Sequence, residues 1–106
     1  DGSLATAPGA LRCVAELRGH DDRVWHAAWS PKGDALATCG ADRTVRVWRP
    51  AADGSWRCVQ VLDEAQSRTV RTCAWSPCGK SIAAVSFDAT TAVWRLEPGG
   101  GSAAEE

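Results

Sequence analysis

Short runs of apolar and β-branched residues, each closed by turn-forming residues, recur along the chain. Residues 24–29 and 70–75 are apolar or aromatic and stop at Ser-Pro-Lys-Gly and Ser-Pro-Cys-Gly. Pro in the second place of such a four-residue turn presets φ, and the Gly that follows tolerates left-handed dihedrals. Residues 35–39 and 81–85 are small and apolar and end at Gly40-Ala41-Asp42 and Ser86-Phe87-Asp88. Residues 44–48 and 90–94 combine β-branched side chains with Trp, which suits a half-buried pleated surface. Residues 56–62 alternate, with Cys58, Gln60 and Leu62 set against Arg57, Val59 and Val61, and residues 12–17 have a similar character. No window sustains a helical stripe, so the pattern predicts strands and almost no helix.

The strands come in a repeat. Shifting the chain by 46 residues aligns 19–49 with 65–95 without a gap, and twelve of the 31 pairs are identical. The matches include Trp29-Ser30-Pro31 with Trp75-Ser76-Pro77, Asp42 with Asp88, and Val47-Trp48-Arg49 with Val93-Trp94-Arg95. A period of this size marks a repeat architecture, whose units bury their apolar faces against one another.

Leu17-Arg18-Gly19-His20-Asp21-Asp22, Trp29-Ser30-Pro31 with Gly33, Leu36-Ala37-Thr38, Asp42 and Val47-Trp48 together resemble a WD40 repeat. Arg49 and Arg95 stand where the closing Asp of that signature would be. The resemblance runs over residues 11–95 and implies an all-β fold of two four-stranded antiparallel blades, the second incomplete. Such blades form part of a β-propeller, seven-bladed when complete. The expected layout is a disordered segment over 1–10, then a lead-in strand and first blade over 11–62. A second repeat of three strands follows over 63–96, and a flexible linker over 97–106. The linker, around Pro98-Gly99-Gly100-Gly101, is expected in place of the second blade's outer strand.

The same resemblance implies a hydrogen-bond relay that pins each blade. In the first repeat His20 meets Asp42, and Thr38 joins the Trp48 indole. The matching positions in the second are Gln66, Asp88, Ala84 and Trp94, and Ala84 has no hydroxyl to complete the set. The relay accounts for His20 and Asp42 as structural residues rather than a catalytic pair. The resemblance also implies a protein-binding face at the mouth of the central channel, carrying Trp25 and Arg71, with Phe87, Arg23, Arg43 and Arg68 around them. Exposed aromatics beside Arg are the composition of a binding hot spot.

A narrower resemblance rests on Arg68-Thr69-Val70-Arg71, Ala74-Trp75-Ser76-Pro77-Cys78-Gly79 and Ser86-Phe87-Asp88-Ala89-Thr90-Thr91. With Leu36-Ala37-Thr38-Cys39-Gly40-Ala41-Asp42-Arg43, these stretches are similar to the WD40 subunits of cytosolic iron–sulfur protein assembly. That likeness implies an adaptor which helps deliver preformed clusters to cytosolic and nuclear apoproteins. Its partners would be the subunits of an iron–sulfur targeting complex and client apoproteins, and it would hold no cofactor itself. Two other readings stay open: a WD40 scaffold of a ubiquitin-ligase or chromatin complex, and a metal- or cluster-binding redox protein using Cys73, Cys78 and a His.

Composition narrows the field. Twelve Lys and Arg against thirteen Asp and Glu leave a net charge of −1 over 106 residues. That balance argues against binding to nucleic acid or an anionic membrane in bulk. No apolar run is long enough for a spanning helix. Asp1-Gly2-Ser3-Leu4 does not read as a secretory signal. Five Cys, an odd number at irregular spacing, suit free thiols in the cytoplasm or nucleus better than a disulfide framework. Cys73 and Cys78 lack the two-residue spacing of metal knuckles, so no metal ligand is expected. No phosphate loop, carboxylate pair or Ser-His-Asp set appears, and the expectation is a protein that is not an enzyme. Two repeats leave outward faces bare, so the remaining blades of a ring, or other copies, are expected to cover them.

Overall fold

Turn chemistry sets where the strands end. At the first Ser-Pro turn the Gly33 amide donates to the Ser30 carbonyl at 2.9 Å, and the Ala35 amide donates to Ser30 Oγ at 3.0 Å. The second turn repeats this with Gly79 to Ser76 at 2.9 Å and Ser81 to Ser76 Oγ at 3.1 Å. Gly33 and Gly79 both have φ of +77°, a left-handed conformation that favours Gly. The strands on either side are thereby forced into antiparallel hairpins.

A computed structural model describes residues 8–97. These hold β1 (Val24–Trp29), β2 (Leu36–Gly40), β3 (Val45–Pro50), β4 (Trp56–Leu62), β5 (Val70–Trp75), β6 (Ser81–Ser86) and β7 (Thr91–Arg95), with no helix. The first four form one antiparallel sheet in chain order, and β5, β6 and β7 form a second. The fold is thus all-β, with one blade of four strands and one of three. Expected and observed strand ends agree within two residues.

Side chains alternate across each sheet, and this decides what meets what. Ala37, Cys39, Val45 and Val47 of blade 1, with Ala35, pack against Val70, Cys73, Ile82 and Ala84 of blade 2. Two hydrogen bonds cross the same seam: Trp75 Nε1 donates to the Ala28 carbonyl at 3.0 Å, and Cys73 Sγ lies 3.7 Å from the Ala37 carbonyl. Leu36 and Trp48, paired across β2 and β3, lie on the far face of blade 1.

Two expectations need correction or placing. Residues 12–17 form no strand. Their counterpart β4 pairs with β3, in the blade before β5; the blade before β1 is not among the described residues, so 12–17 have no ladder to join. Residues 1–7 of the expected disordered segment, and the linker from Pro98 onward, lie outside the described residues.

The β2–β3 and β6–β7 turns place Arg43 and Ala89 at φ of +70° and +74°. A Cβ makes that region costly, and Ala89 has no side-chain polar group to offset the strain. Replacing Ala89 with Gly is expected to raise unfolding stability by about 0.5–1 kcal/mol in urea titrations, the strain relief exceeding the added chain entropy.

Candidate functional site

The loop before β1 runs along the far face of blade 1 and there meets the β2–β3 hairpin. His20 Nδ1 lies 2.9 Å from Asp42 Oδ2, and His20 Nε2 lies 2.7 Å from Thr38 Oγ1. Trp48 Nε1 donates to that same hydroxyl at 2.9 Å. Donor counting orients the chain: a carboxylate only accepts, so Nδ1 carries the proton toward Asp42, and Nε2 accepts from Thr38. The Thr38 hydroxyl can then accept from the indole, and the buried Trp48 N–H has its partner.

Asp42 has further partners that sequence reasoning did not assign. The Asp21 amide donates to Oδ2 at 3.0 Å and the Thr44 hydroxyl to Oδ1 at 2.8 Å. Arg46 Nη2 stands 3.7 Å away. Burial opposes the charge on Asp42, but the Asp21 amide, the Thr44 hydroxyl and His20 outweigh it, so its carboxyl lies below the usual carboxylate range. The signal for Thr44 was available, since Asp-x-Thr recurs as Asp88-x-Thr90.

Blade 2 is wired differently. Gln66 Nε2 donates to the carbonyls of Ala84 at 3.1 Å and Thr90 at 3.3 Å, and no bond joins it to Asp88 among the described residues. Its Oε1 is buried with no hydrogen-bond partner. Asp88 instead accepts from the Ser67 amide at 2.8 Å and from the Thr90 hydroxyl. Trp94 is half-buried, packed on the seam. Ala84 carries no side-chain hydroxyl to link Gln66 with the Trp94 indole.

The residues of the expected binding face fall into two groups. Trp25 of β1 and Arg71 of β5 meet across the seam, the guanidinium 5.0 Å from the indole ring centre. Trp25 remains 41% exposed, so the pair forms a cationic and aromatic surface spanning both blades. Each turn also ties back to the loop before its blade. The Ala41 amide donates to the Arg23 carbonyl at 2.8 Å, and the Phe87 amide to the Thr69 carbonyl at 3.0 Å. Arg23 and Arg43 thereby flank one turn, while the Arg68 carbonyl accepts from Ser86 Oγ at 3.2 Å, next in the chain to Phe87, which is 61% exposed. A Cβ on Gly40 would collide with the Arg23 carbonyl, and sequence reasoning missed this close approach.

The cysteines do not converge. Cys39 and Cys73 are buried in the seam, while Cys13, Cys58 and Cys78 are exposed. The adjacent Cys39 thiol and burial push the Cys73 thiol well above its ordinary range, away from thiolate chemistry. Among the described residues no cluster of His, Cys, Asp and Glu could hold a metal ion.

The family model described as "WD domain, G-beta repeat" matches residues 11–49 and again 56–95. The chain belongs to the WD40 family. Among curated relatives of this WD40 chain, the "Probable cytosolic iron-sulfur protein assembly protein CIAO1 homolog" of Chlamydomonas reinhardtii is 50% identical over 68 residues. That match covers 61% of this chain and 19% of the relative. The "Probable cytosolic iron-sulfur protein assembly protein ciao1-B" of Salmo salar is 55% identical over 62 residues, covering 58% and 18%. "Protein CIA1" of Arabidopsis thaliana is 46% identical over 68 residues, covering 57% and 19%. The matched part of the WD40 chain thus spans just under a fifth of these relatives.

The network around Asp42 carries a prediction with an internal control. Asp42→Ala leaves the Asp21 amide and the His20 ring without their acceptor and is expected to lower stability by about 1–3 kcal/mol in urea unfolding. Asp34 is exposed and orients the Ser30 hydroxyl at 2.9 Å, yet the matching turn of repeat two stands with Lys80 in its place. Asp34→Ala is expected to leave the midpoint within measurement error. The Asp42 contribution depends on pH. A folded-state pKa depressed below the reference 3.8 adds stability above that value, lost as pH falls through the lowered pKa. The stability gap between wild type and Asp42→Asn should therefore narrow on acidification and be full at neutral pH.

Proposed function

We propose that this chain is part of a non-catalytic protein-interaction scaffold, an adaptor in cytosolic iron–sulfur cluster delivery to cytosolic and nuclear apoproteins. The observation that carries the reading is 46–55% identity to WD40 proteins named for cytosolic iron-sulfur protein assembly. On this reading the cluster is cargo handled by partners, the chain itself holds no cofactor, and its place is the cytoplasm and the nucleus.

The contact surface would be the face of Trp25, Arg71, Arg23, Arg43, Arg68 and Phe87. Trp and Arg stacked on one another, with the indole still open, offer a large rigid area and a fixed charge to a partner. Nothing on this face resembles an acid, base or nucleophile held ready for chemistry, which favours binding over catalysis. The partners would be targeting-complex subunits and client apoproteins.

Affinity capture with the full-length protein tests the reading. Iron–sulfur assembly factors and their client proteins are expected among the captured partners. Trp25→Ala and Arg71→Ala should each reduce that capture at least about tenfold, the loss of roughly 1.4 kcal/mol that a hot-spot residue supplies, while circular dichroism stays unchanged. Capture of a ubiquitin-ligase or chromatin complex in their place would overturn it.

A further inference from the structure

Cys39 of β2 and Cys73 of β5 enter the seam from opposite sheets, and both are almost wholly buried there. Ala37, two residues before Cys39 and on the same face of β2, has its carbonyl 3.7 Å from Cys73 Sγ. Two residues beyond Cys73, the Trp75 indole reaches the Ala28 carbonyl of β1 at 3.0 Å. β5 is thereby held against both β1 and β2, and the Cys39 and Cys73 thiols stand side by side. The contacts of the other three thiols, among the described residues, are with oxygen. Cys13 and Cys58 lie at 3.4 Å from the carbonyls of Ala15 and Gln60, and Cys78 lies 3.3 Å from Ser76 Oγ.

The two buried sulfurs are unequal. The Cys73 thiol beside it holds the Cys39 thiol below its ordinary range; burial opposes this, and the Arg71 guanidinium adds to it. Cys73 is pushed the other way, first by Cys39 and then by burial. Cys39 is therefore the sulfur fitted to carry negative charge, and Cys73 the one that keeps its proton. An attacking thiol and a resolving thiol divide the work in this manner.

We propose that Cys39 and Cys73 form an oxidation-sensitive latch, a thiol pair that peroxide converts to a disulfide joining the two blades. The Cys39 thiolate attacks one oxygen of the peroxide, the O–O bond breaks, and hydroxide leaves to take up the proton that Cys39 released. Cys39 is then a sulfenic acid. The Cys73 sulfur attacks the Cys39 sulfur, the S–O bond breaks, and the departing hydroxyl leaves as water with the Cys73 proton. Two thiols and one hydrogen peroxide become one disulfide and two waters, so the sulfurs lose the two electrons that the peroxide gains. A small neutral oxidant suits sulfurs that lie inside the seam. Once Cys39 is a neutral sulfenic acid, the charge that opposed ionisation of Cys73 is gone. The new bond closes the loop between the two residues in the unfolded chain and so favours the closed seam. The latch lies within the seam and is independent of the adaptor reading, which concerns the exposed Trp25 and Arg71.

Peroxide treatment of the folded full-length protein, then alkylation, tryptic digestion and mass spectrometry, tests this. Cys39 falls in the peptide 33–43 and Cys73 in the peptide 72–80, which also holds Cys78, so the reaction is run in a Cys78→Ser background. A link between the two peptides is expected, reversed by dithiothreitol, in protein that runs as a single chain without reductant. The oxidised protein should unfold at higher urea than the same sample after reduction, a comparison that needs no substitution in the core. Cys73→Ala should abolish both the link and the shift. Cys39 still a free thiol when Cys13 and Cys58 are fully oxidised overturns the proposal. Cys39 recovered as a sulfinic acid, or a link that leaves the urea midpoint unchanged or lower, overturns it equally.

Discussion

Everything in this molecule hangs on the seam between its two sheets. A four-stranded sheet has two faces, and neither blade has a core until the other arrives. The seam is closed by small residues on one side, Ala35, Ala37, Cys39, Val45 and Val47, and by Val70, Cys73, Ile82 and Ala84 on the other. Small side chains let the sheets approach near the inner strands, where β1 and β2 lie against β5. That approach brings the indole of Trp25 under the guanidinium of Arg71, two side chains at the same place in successive repeats. The exposed face is therefore a consequence of the buried one. A substitution that spread the blades would separate Trp25 from Arg71 without touching either.

The network around Asp42 does separate work within one blade. It joins three pieces distant in sequence: the loop at His20 and Asp21, β2 at Thr38, and the turn that ends at Thr44. Each partner alone is a modest gain, but Thr38 and Thr44 are buried and their hydroxyls would be costly to leave unpaired. The loop held in this way covers the Trp48 ring, with Gly19 close against it. Blade 1 thus has a sealed patch on a face that is otherwise open at Trp29. Blade 2 meets its partner sheet over the equivalent face and packs Ala84 there instead of a hydroxyl.

Much of the fold was legible because two copies of one pattern constrain each other. Trp29-Ser30-Pro31 and Trp75-Ser76-Pro77 mark the same turn, and a strand end misread in one repeat is corrected by the other. What was not legible depends on what lies next to a segment. Residues 12–17 share Arg-Cys-Val and the closing Leu with β4 but have no neighbouring strand among the described residues, so composition overstated them. The left-handed turn residues were hidden because Arg43 and Ala89 occupy positions where Gly would have announced the conformation. Within the candidate site, the resemblance led to His20, Thr38, Asp42 and Trp48, which the structure joins by hydrogen bonds. It did not anticipate that Gln66 would turn from Asp88 toward the carbonyls of Ala84 and Thr90. An amide has a donor to place as well as an acceptor, and the buried Ala84 carbonyl and the Thr90 carbonyl claim it.

The asymmetry between the repeats follows from that single exchange. In blade 1 an imidazole both donates to a carboxylate and accepts from a hydroxyl, so one side chain links the turn to the buried indole. In blade 2 the amide spends its donors on backbone and leaves Oε1 buried without a partner, while Asp88 is held only by its local neighbours Ser67 and Thr90. The turn that carries Phe87 is therefore anchored to the loop before β5 and, through Gln66 at Thr90, to the Ala84 carbonyl of β6, but to no buried indole. The turn beside Arg23 and Arg43 is anchored both to the loop before β1 and to such an indole, that of Trp48. On one surface, then, the Arg-flanked turn reaches a buried indole through a chain of side chains, while the Phe87 turn reaches only backbone carbonyls through Gln66.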